Sequence, residues 1–103
     1  MEQNTFSLRL AKLRTKKGVT AKHMSELLGR NPGYISKIES GKGYPSLDEF
    51  FRICEYLDIS PAEFFDTGNA DPAHLREIIS DLKRLDAKQL DMIGPLIKSL
   101  IGK

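Results

Sequence analysis

The sequence has few of the residues that carry redox, metal or disulfide chemistry. Cys54 is the single cysteine in 103 residues, which rules out an internal disulfide and is typical of a reducing compartment. Its position on an apolar helix face favours a small core residue. His23, His74 and Cys54 share no spacing used by metal ligands. We therefore expect no metal and no cofactor.

Long apolar runs and nucleotide-binding loops are also missing. No run approaches the roughly 20 residues needed to cross a bilayer, and the N-terminus MEQNTFSLRL lacks the apolar region of a signal peptide. The chain is expected to act in the cytoplasm without a membrane partner. There is no Gly-rich phosphate loop, and no Ser/His/Asp set that the predicted helices would bring together. These absences argue against an enzyme.

Charge is unevenly distributed along the chain. Residues 9–42 hold nine Lys or Arg against two Glu, a net charge of +7. Residues 43–66 hold one Arg against six acidic residues, a net charge of −5. A small domain with one basic and one acidic half can orient itself on a polyanion such as DNA. The alternative is that the lysines are an ordinary solvated surface.

The spacing of apolar residues is helical throughout, with no strand pattern. We predict a first helix from about Phe6 to Lys17. Thr20, Ser46 and Ser60 are the expected N-caps of the second, fourth and fifth helices. The segment DTGNADP after the fifth helix is rich in turn residues. The predicted organisation is a domain over 1–66, a hinge over 67–71 and a helical extension over 72–103.

The extension is predicted to form two helices with apolar stripes. Asp86 and Gln89 resemble a capping box that opens the last helix. Pro95 lies inside that helix and is expected to kink or split it. The stripe residues, which we predict to mediate dimerisation, are Leu75, Ile78, Ile79, Leu82, Leu90, Ile93, Leu96, Ile97 and Leu100.

The third helix has an unusual outer face. Asn31 is its expected cap and Pro32 its expected first residue, because proline at that position loses no hydrogen bond. At 100° per residue, Ile35 and Ile38 share the buried side. The opposite side collects mainly small residues and one lysine: Gly33, Ser36, Lys37 and Ser40. Such a face lets a helix backbone approach a surface closely, and the major groove of B-DNA admits a helix.

Four stretches together resemble the five-helix DNA-binding domain of Cro/Xre-type, phage-repressor-like transcriptional regulators. They are LRLAKLRTKKGVT, KHMSELLG, NPGYISKIESGKGYPSL and LDISPAEFF, and the resemblance covers about residues 6 to 66. The resemblance implies an all-α fold containing a helix-turn-helix, with two further C-terminal helices. It implies that residues 20–28 cross the DNA backbone and that Pro32 to Ser40 is the recognition helix in the major groove.

The resemblance also assigns residues by position. Base-edge contacts fall to Pro32, Gly33, Ser36 and Lys37, of which Lys37 can donate to guanine. Backbone contacts fall to Lys22, Arg30, Asn31, Tyr34 and Lys42. Arg14 and Glu39 occupy positions that form a structural pair in the family. The chain departs from the family in having Ala21 where glutamine is frequent and Ser25 where alanine is frequent.

The predicted function is sequence-specific binding of double-stranded DNA by a homodimer that regulates transcription, as a repressor. Repression is favoured because the sequence shows no separate activating or ligand domain. Two alternatives involve a protein partner for the C-terminal helices. One is an antitoxin-like module, and the other is an adaptor whose helix-turn-helix no longer binds DNA. The C-terminal helices could also fold back on each other as a hairpin.

Overall fold

The computed structural model describes residues 2–102, and the all-α architecture predicted from the sequence is confirmed: this part of the chain contains no strand. The chain divides into two compact units between Pro72 and Ala73, called here the first unit and the second unit. No helix within residues 2–102 is long and apolar enough to cross a membrane. The helices are α1 (Gln3–Lys17), α2 (Ala21–Leu27), α3 (Tyr34–Glu39), α4 (Leu47–Tyr56), α5 (Pro61–Phe65), α6 (Pro72–Leu82) and α7 (Ala87–Ile101).

Local signals set most helix ends as the sequence predicts. α1 begins three residues before the predicted start and ends at Gly18, whose φ of 82° is strained for any residue with a Cβ. The Thr20 side chain accepts a hydrogen bond from the His23 N–H at 3.0 Å and caps α2. Ser46 and Ser60 cap α4 and α5 in the same way.

The third helix is shorter than the sequence predicts. The predicted range is Pro32 to Ser40, whereas α3 spans Tyr34–Glu39. The Asn31 Oδ1 accepts from the Gly33 N–H at 3.0 Å, and the Asn31 carbonyl accepts from the Tyr34 N–H at 3.1 Å. These bonds close a turn through Pro32 and Gly33. Asn31 therefore organises a turn before the helix, and Pro32 is not its first residue.

The apolar faces of the first five helices meet in one core. Three phenylalanine rings lie at its centre, with centroids 4.9 to 6.0 Å apart in pairs. The buried apolar side chains are Phe6, Leu10, Leu13, Met24, Leu28, Ile35, Ile38, Phe50, Ile53, Cys54, Leu57, Ile59 and Phe64. They include Cys54, which the sequence predicts to be a small core residue.

A buried arginine holds the C-terminal end of the first unit. Arg9 is 3% exposed. Its Nε, Nη1 and Nη2 donate to the carbonyls of Phe64, Asn69 and Glu63 at 2.6, 2.8 and 2.7 Å. Burial lowers the pKa of Arg9 from its ordinary value. The Lys16 Nζ also lies 3.7 Å from a carboxylate oxygen of Asp71. Two residues of the segment predicted as a hinge, Asn69 and Asp71, thus contact side chains of α1.

The second unit contains the two predicted C-terminal helices. The Asp86 side chain accepts from the Gln89 N–H at 2.8 Å and the Gln89 side chain accepts from the Asp86 N–H at 3.0 Å, so the predicted capping box is present. Of the two expectations for Pro95, a kink or a split, the split is wrong, because α7 continues through Pro95. Gly94 explains this in part, since a residue without a Cβ avoids the clash that a proline ring imposes on its predecessor.

Candidate nucleic-acid interface

The residues assigned to base edges are exposed in the turn before α3 and along its outer side. Pro32 and Gly33 lie in the turn before the helix, and Ser36 and Lys37 lie on its outer side. Opposite them, Ile35 and Ile38 are buried in the core. The helix therefore presents small side chains and one ammonium group to solvent. Such a surface can approach a polar groove closely and donate hydrogen bonds within it.

Two buried hydroxyl groups hold the ends of this short helix. The Ser25 Oγ accepts from the Ile35 N–H at 3.0 Å and donates to the Ala21 carbonyl at 2.7 Å. The Ser7 Oγ donates to the Ile38 carbonyl at 2.7 Å. Sequence reasoning missed these contacts, although serines between apolar residues on inward helix faces were a visible signal. Together they fix α3 against α1 and α2.

An ion pair also anchors the C-terminal end of α3 to α1. The Arg14 Nε and Nη2 donate to the two carboxylate oxygens of Glu39 at 2.7 and 2.9 Å, and Nη1 donates to the Val19 carbonyl at 2.8 Å. Both side chains are less than one-fifth exposed. The hydrogen bond to Glu39 raises the pKa of Arg14 from its ordinary value. This two-pronged geometry is the strong form of an arginine–carboxylate contact.

Three of the residues assigned to contacts with the DNA backbone are exposed. One lies at each end of the helix-turn-helix and one in its turn. Lys22 lies in the first turn of α2, and Asn31 lies in the turn before α3. Lys42 follows α3, and its N–H donates to the Lys37 carbonyl at 3.1 Å. Cationic and amide groups placed in this way can contact phosphates on either side of a groove.

The remaining two backbone candidates already have protein partners. Arg30 forms an ion pair with Glu49 of α4, and its guanidinium carbon lies 5.3 Å from the centroid of the Tyr34 ring. Burial raises the pKa of Tyr34, and the hydrogen bond from Arg30 lowers the pKa of Glu49. Glu49 is buried, and sequence analysis did not single it out as a site residue.

The residues assigned to dimerisation lie in the second unit and are at least partly exposed. Leu82 and Ile93 are half-buried. The others range from 41% exposed at Ile97 to 74% at Leu100. No side chain of residues 73–102 is fully buried. Among the described residues, no group of three His, Cys, Asp or Glu side chains could hold a metal ion.

Proteins with similar sequences are transcriptional regulators. The sequence model of the family described as Helix-turn-helix matches residues 10–64. YonR, an SPbeta prophage-derived uncharacterized HTH-type transcriptional regulator of Bacillus subtilis (strain 168), is 33% identical over 89 residues, which cover 86% of this chain and 82% of that protein. The transcriptional activator BcrR of Enterococcus faecalis is 36% identical over 55 residues, which cover 53% of this chain but 27% of BcrR.

Solved structures give the same result. Two crystal structures of ClgR, the clp gene regulator of Corynebacterium glutamicum, superpose on this chain with a TM-score of 0.59. Their sequences are 26% and 27% identical to it. The superpositions cover 68% and 90% of this chain, and 90% and 94% of the ClgR chains.

Proposed function

The chain belongs to the Cro/Xre-type family of helix-turn-helix transcriptional regulators and is a DNA-binding protein, and from that premise we propose that it is a sequence-specific repressor acting as a homodimer. The observation that carries the proposal is the outer surface of α3. It exposes small side chains and Lys37, while buried bonds from Ser7, Ser25 and Arg14 hold the helix in place. The relatives are regulators and not enzymes.

Sequence recognition follows from placing this surface in the major groove. Lys37 can donate to O6 and N7 of guanine, and Ser36 can donate to or accept from several bases. Pro32 and Gly33 add apolar and backbone contacts from the turn before the helix. A B-DNA major groove is about 12 Å wide, which accommodates a helix with small outward side chains. We therefore assign these four residues to base edges.

Affinity is proposed to come from phosphate contacts around the same helix. Lys22, Asn31 and Lys42 are exposed at three points along the helix-turn-helix. Neutralised phosphates release counterions, so log K falls with log[salt] by about 0.9 for each phosphate contacted. A protein of this kind must bind DNA in a strongly salt-dependent manner.

Dimerisation is proposed to occur through the second unit. Its apolar side chains are exposed, and burial of such side chains between two copies removes them from water. A two-fold dimer matches an operator made of two half-sites about one helical turn apart. Repression is proposed because occupation of a promoter is sufficient to exclude polymerase.

The same exposed stripe favours one second candidate function. An antitoxin-like or adaptor protein would use it to bind a different protein instead of a second copy. Sedimentation of the purified chain separates the two cases, since a self-associating stripe gives a dimer and a stripe reserved for another protein leaves a monomer.

The proposal is tested by selecting duplexes from random DNA at near-physiological salt and sequencing those that the purified protein retains. We expect enrichment of an inverted repeat with half-sites about one helical turn apart. Lys37→Ala should change the enriched sequence within each half-site. No enrichment by a protein that is folded by circular dichroism would overturn the proposal. Transcription in vitro from a promoter overlapping the selected site gives the sign, and an increase in transcript would reject repression.

A further inference from the structure

Three helices of this chain begin with the residue pattern of a capping box, and one of them does not form it. In the reciprocal box, the third residue of the helix returns a hydrogen bond to the N-cap N–H. Glu63 does so for Ser60 at 2.9 Å, and Gln89 does so for Asp86 at 3.0 Å. Glu49 stands in the same position after Ser46.

The Glu49 carboxylate is directed elsewhere. Its N–H donates to the Ser46 Oγ at 3.2 Å, so the first half of the box is present. Its Oε1 instead accepts from Arg30 and, at 3.2 Å, from the Arg52 Nη1. Its Oε2 is buried and receives no hydrogen bond from the described part of the protein. Burying a carboxylate with an unsatisfied oxygen costs free energy, so this arrangement is not explained by helix stability alone.

Through its two arginines, Glu49 is linked to three neighbouring parts of the helix-turn-helix. Arg52 also donates from Nη2 to the carbonyl of Leu28, the residue at the end of α2, at 2.8 Å. Arg30 belongs to the turn between α2 and α3 and lies over the ring of Tyr34, the first residue of α3. One buried carboxylate of α4 therefore links the end of α2, the turn and the start of α3.

The ion pair also affects how strongly Arg30 attracts DNA. A guanidinium bound to a carboxylate has one donor occupied and its charge partly offset, so its attraction to a phosphate is weaker than that of an unpaired cation. Arg30 contacts both the Glu49 carboxylate and the Tyr34 ring. Lys22, Lys42 and Arg30 are all exposed, but part of the Arg30 charge is offset within the protein by Glu49.

We propose that Glu49 is a positioning residue for DNA recognition. It fixes the turn and the first residue of α3 through Arg30 and Arg52, and it keeps Arg30 from adding sequence-independent affinity. The inference rests on the proposed function, because it concerns how accurately the base-reading end of α3 is held. As a consequence, we expect Glu49 to raise the ratio of operator affinity to affinity for unrelated DNA.

The test compares Glu49→Gln with Asp48→Asn in the full chain. Both variants remove one negative charge from the first turn of α4, but Asp48 is exposed and outside the cluster. Dissociation constants are measured for the selected operator and for an unrelated duplex over a series of salt concentrations. For Glu49→Gln we expect the slope of log K against log[salt] to be steeper by about 0.9 for each phosphate that the released Arg30 contacts, on both duplexes. We also expect the affinity ratio to fall at least tenfold, while Asp48→Asn leaves slope and ratio unchanged.

Arg30→Gln provides the second arm and remains usable if Glu49→Gln does not fold. If Arg30 is withheld from phosphate, its removal leaves the salt slope of the wild-type chain unchanged, and in the double variant it cancels the steeper slope of Glu49→Gln. The inference is overturned if Arg30→Gln alone lowers the slope by about 0.9. It is also overturned if Glu49→Gln matches Asp48→Asn in slope and ratio, because a purely structural role moves only the melting temperature. Wild-type binding that ignores salt would instead overturn the proposed function itself.

Discussion

The first unit buries the apolar faces of its helices, whereas the second unit leaves the apolar faces of its helices exposed. Both units carry helical spacing of large apolar residues and well-formed N-caps. Yet Leu10, Ile35, Ile53 and Phe64 are 0% exposed in the first unit, and Leu100 is 74% exposed in the second. Periodicity therefore identifies a helix and its apolar side, but not whether another surface covers that side.

The two units are stabilised by different interactions. The first unit has a core of its own, formed by buried apolar side chains and held together further by hydrogen bonds of buried polar groups. Local capping contributes to the helices of the second unit, but caps contribute only about 1 kcal/mol each. A surface from another molecule would supply the burial that the second unit lacks.

The largest expected effect comes from removing the second unit. A chain ending at Pro72 keeps the Arg9 bond to the Asn69 carbonyl and should unfold cooperatively as a monomer. Its operator affinity should fall by about 10²–10⁴-fold, because two half-sites are then bound independently. Sedimentation and operator titration measure both properties.

A matched pair of substitutions in the full chain guards against an effect of truncation itself. Leu96→Asp places a charge on the apolar stripe of α7 and should give the monomer, whereas Ser99→Asp on the same helix should not. Equal operator affinity for the Pro72 chain and the intact chain would show that the second unit does not dimerise the protein on DNA.

The next largest effect comes from removing the ion pair between Arg14 and Glu39 in the first unit. Glu39→Ala leaves the guanidinium of Arg14 largely buried without its carboxylate. We expect a loss of about 2 kcal/mol in the free energy of unfolding, or roughly 10 °C in Tm. Glu26→Ala, on the exposed side of α2, is the control and should change Tm little. A melting temperature unaffected by Glu39→Ala would remove the pair from the stabilising contacts.

A smaller effect should separate recognition from affinity. If bases are read by the first unit alone, Lys37→Ala should cost about 1–3 kcal/mol at one base position and relax specificity there. Lys42→Ala should weaken binding to all sequences alike and reduce the salt slope by about 0.9 for each phosphate that is no longer neutralised. Titration of operators substituted at each position distinguishes them, and an identical uniform decrease in affinity for both variants would contradict the assigned roles.

The smallest effect uses the cysteine as a local probe. Burial raises the pKa of the Cys54 thiol to about 11, so the thiolate that reacts with disulfide reagents is scarce at pH 8. We expect slow labelling of the native protein, at a rate set by opening of the first unit. Leu96→Asp should leave that rate unchanged, and Glu39→Ala should raise it. Rapid labelling of the wild-type chain would mean that the core around α4 is open.

Features encoded within a few residues could be predicted from the sequence. The caps at Ser46, Ser60 and Asp86 depend on neighbours three residues away, and the structure forms each of them. The predicted start of α3 is wrong because Asn31 has two local options, a helix cap or a turn, and the Gly33 N–H selects the turn. Asn and Gly together favour such turns, so the signal is present but ambiguous.

Contacts distant in sequence could not be predicted in the same way. Arg9 binds carbonyl groups 54 to 60 residues away, and nothing near it in the chain signals a buried guanidinium. Arg30 is assigned to phosphate contacts from its charge and its place in the turn. Its ion pair with Glu49, 19 residues away, leaves no local pattern in the sequence. The candidate base-reading surface is more accessible to prediction, since Ile35 and Ile38 define its opposite side by spacing alone.

The bond from Ser25 to the Ile35 N–H has a consequence for protein synthesis. α3 has six residues, far fewer than the roughly 12–15 that an isolated helix needs to persist in water. Its own N-cap residue, Gly33, offers no side chain, and a hydroxyl of α2 serves instead. A nascent chain emerging from the ribosome therefore lacks a stable α3 until α2 has docked. Incompletely folded copies, and peptides cut from residues 29–46, would have to order α3 on binding and should therefore bind DNA more weakly than the folded protein.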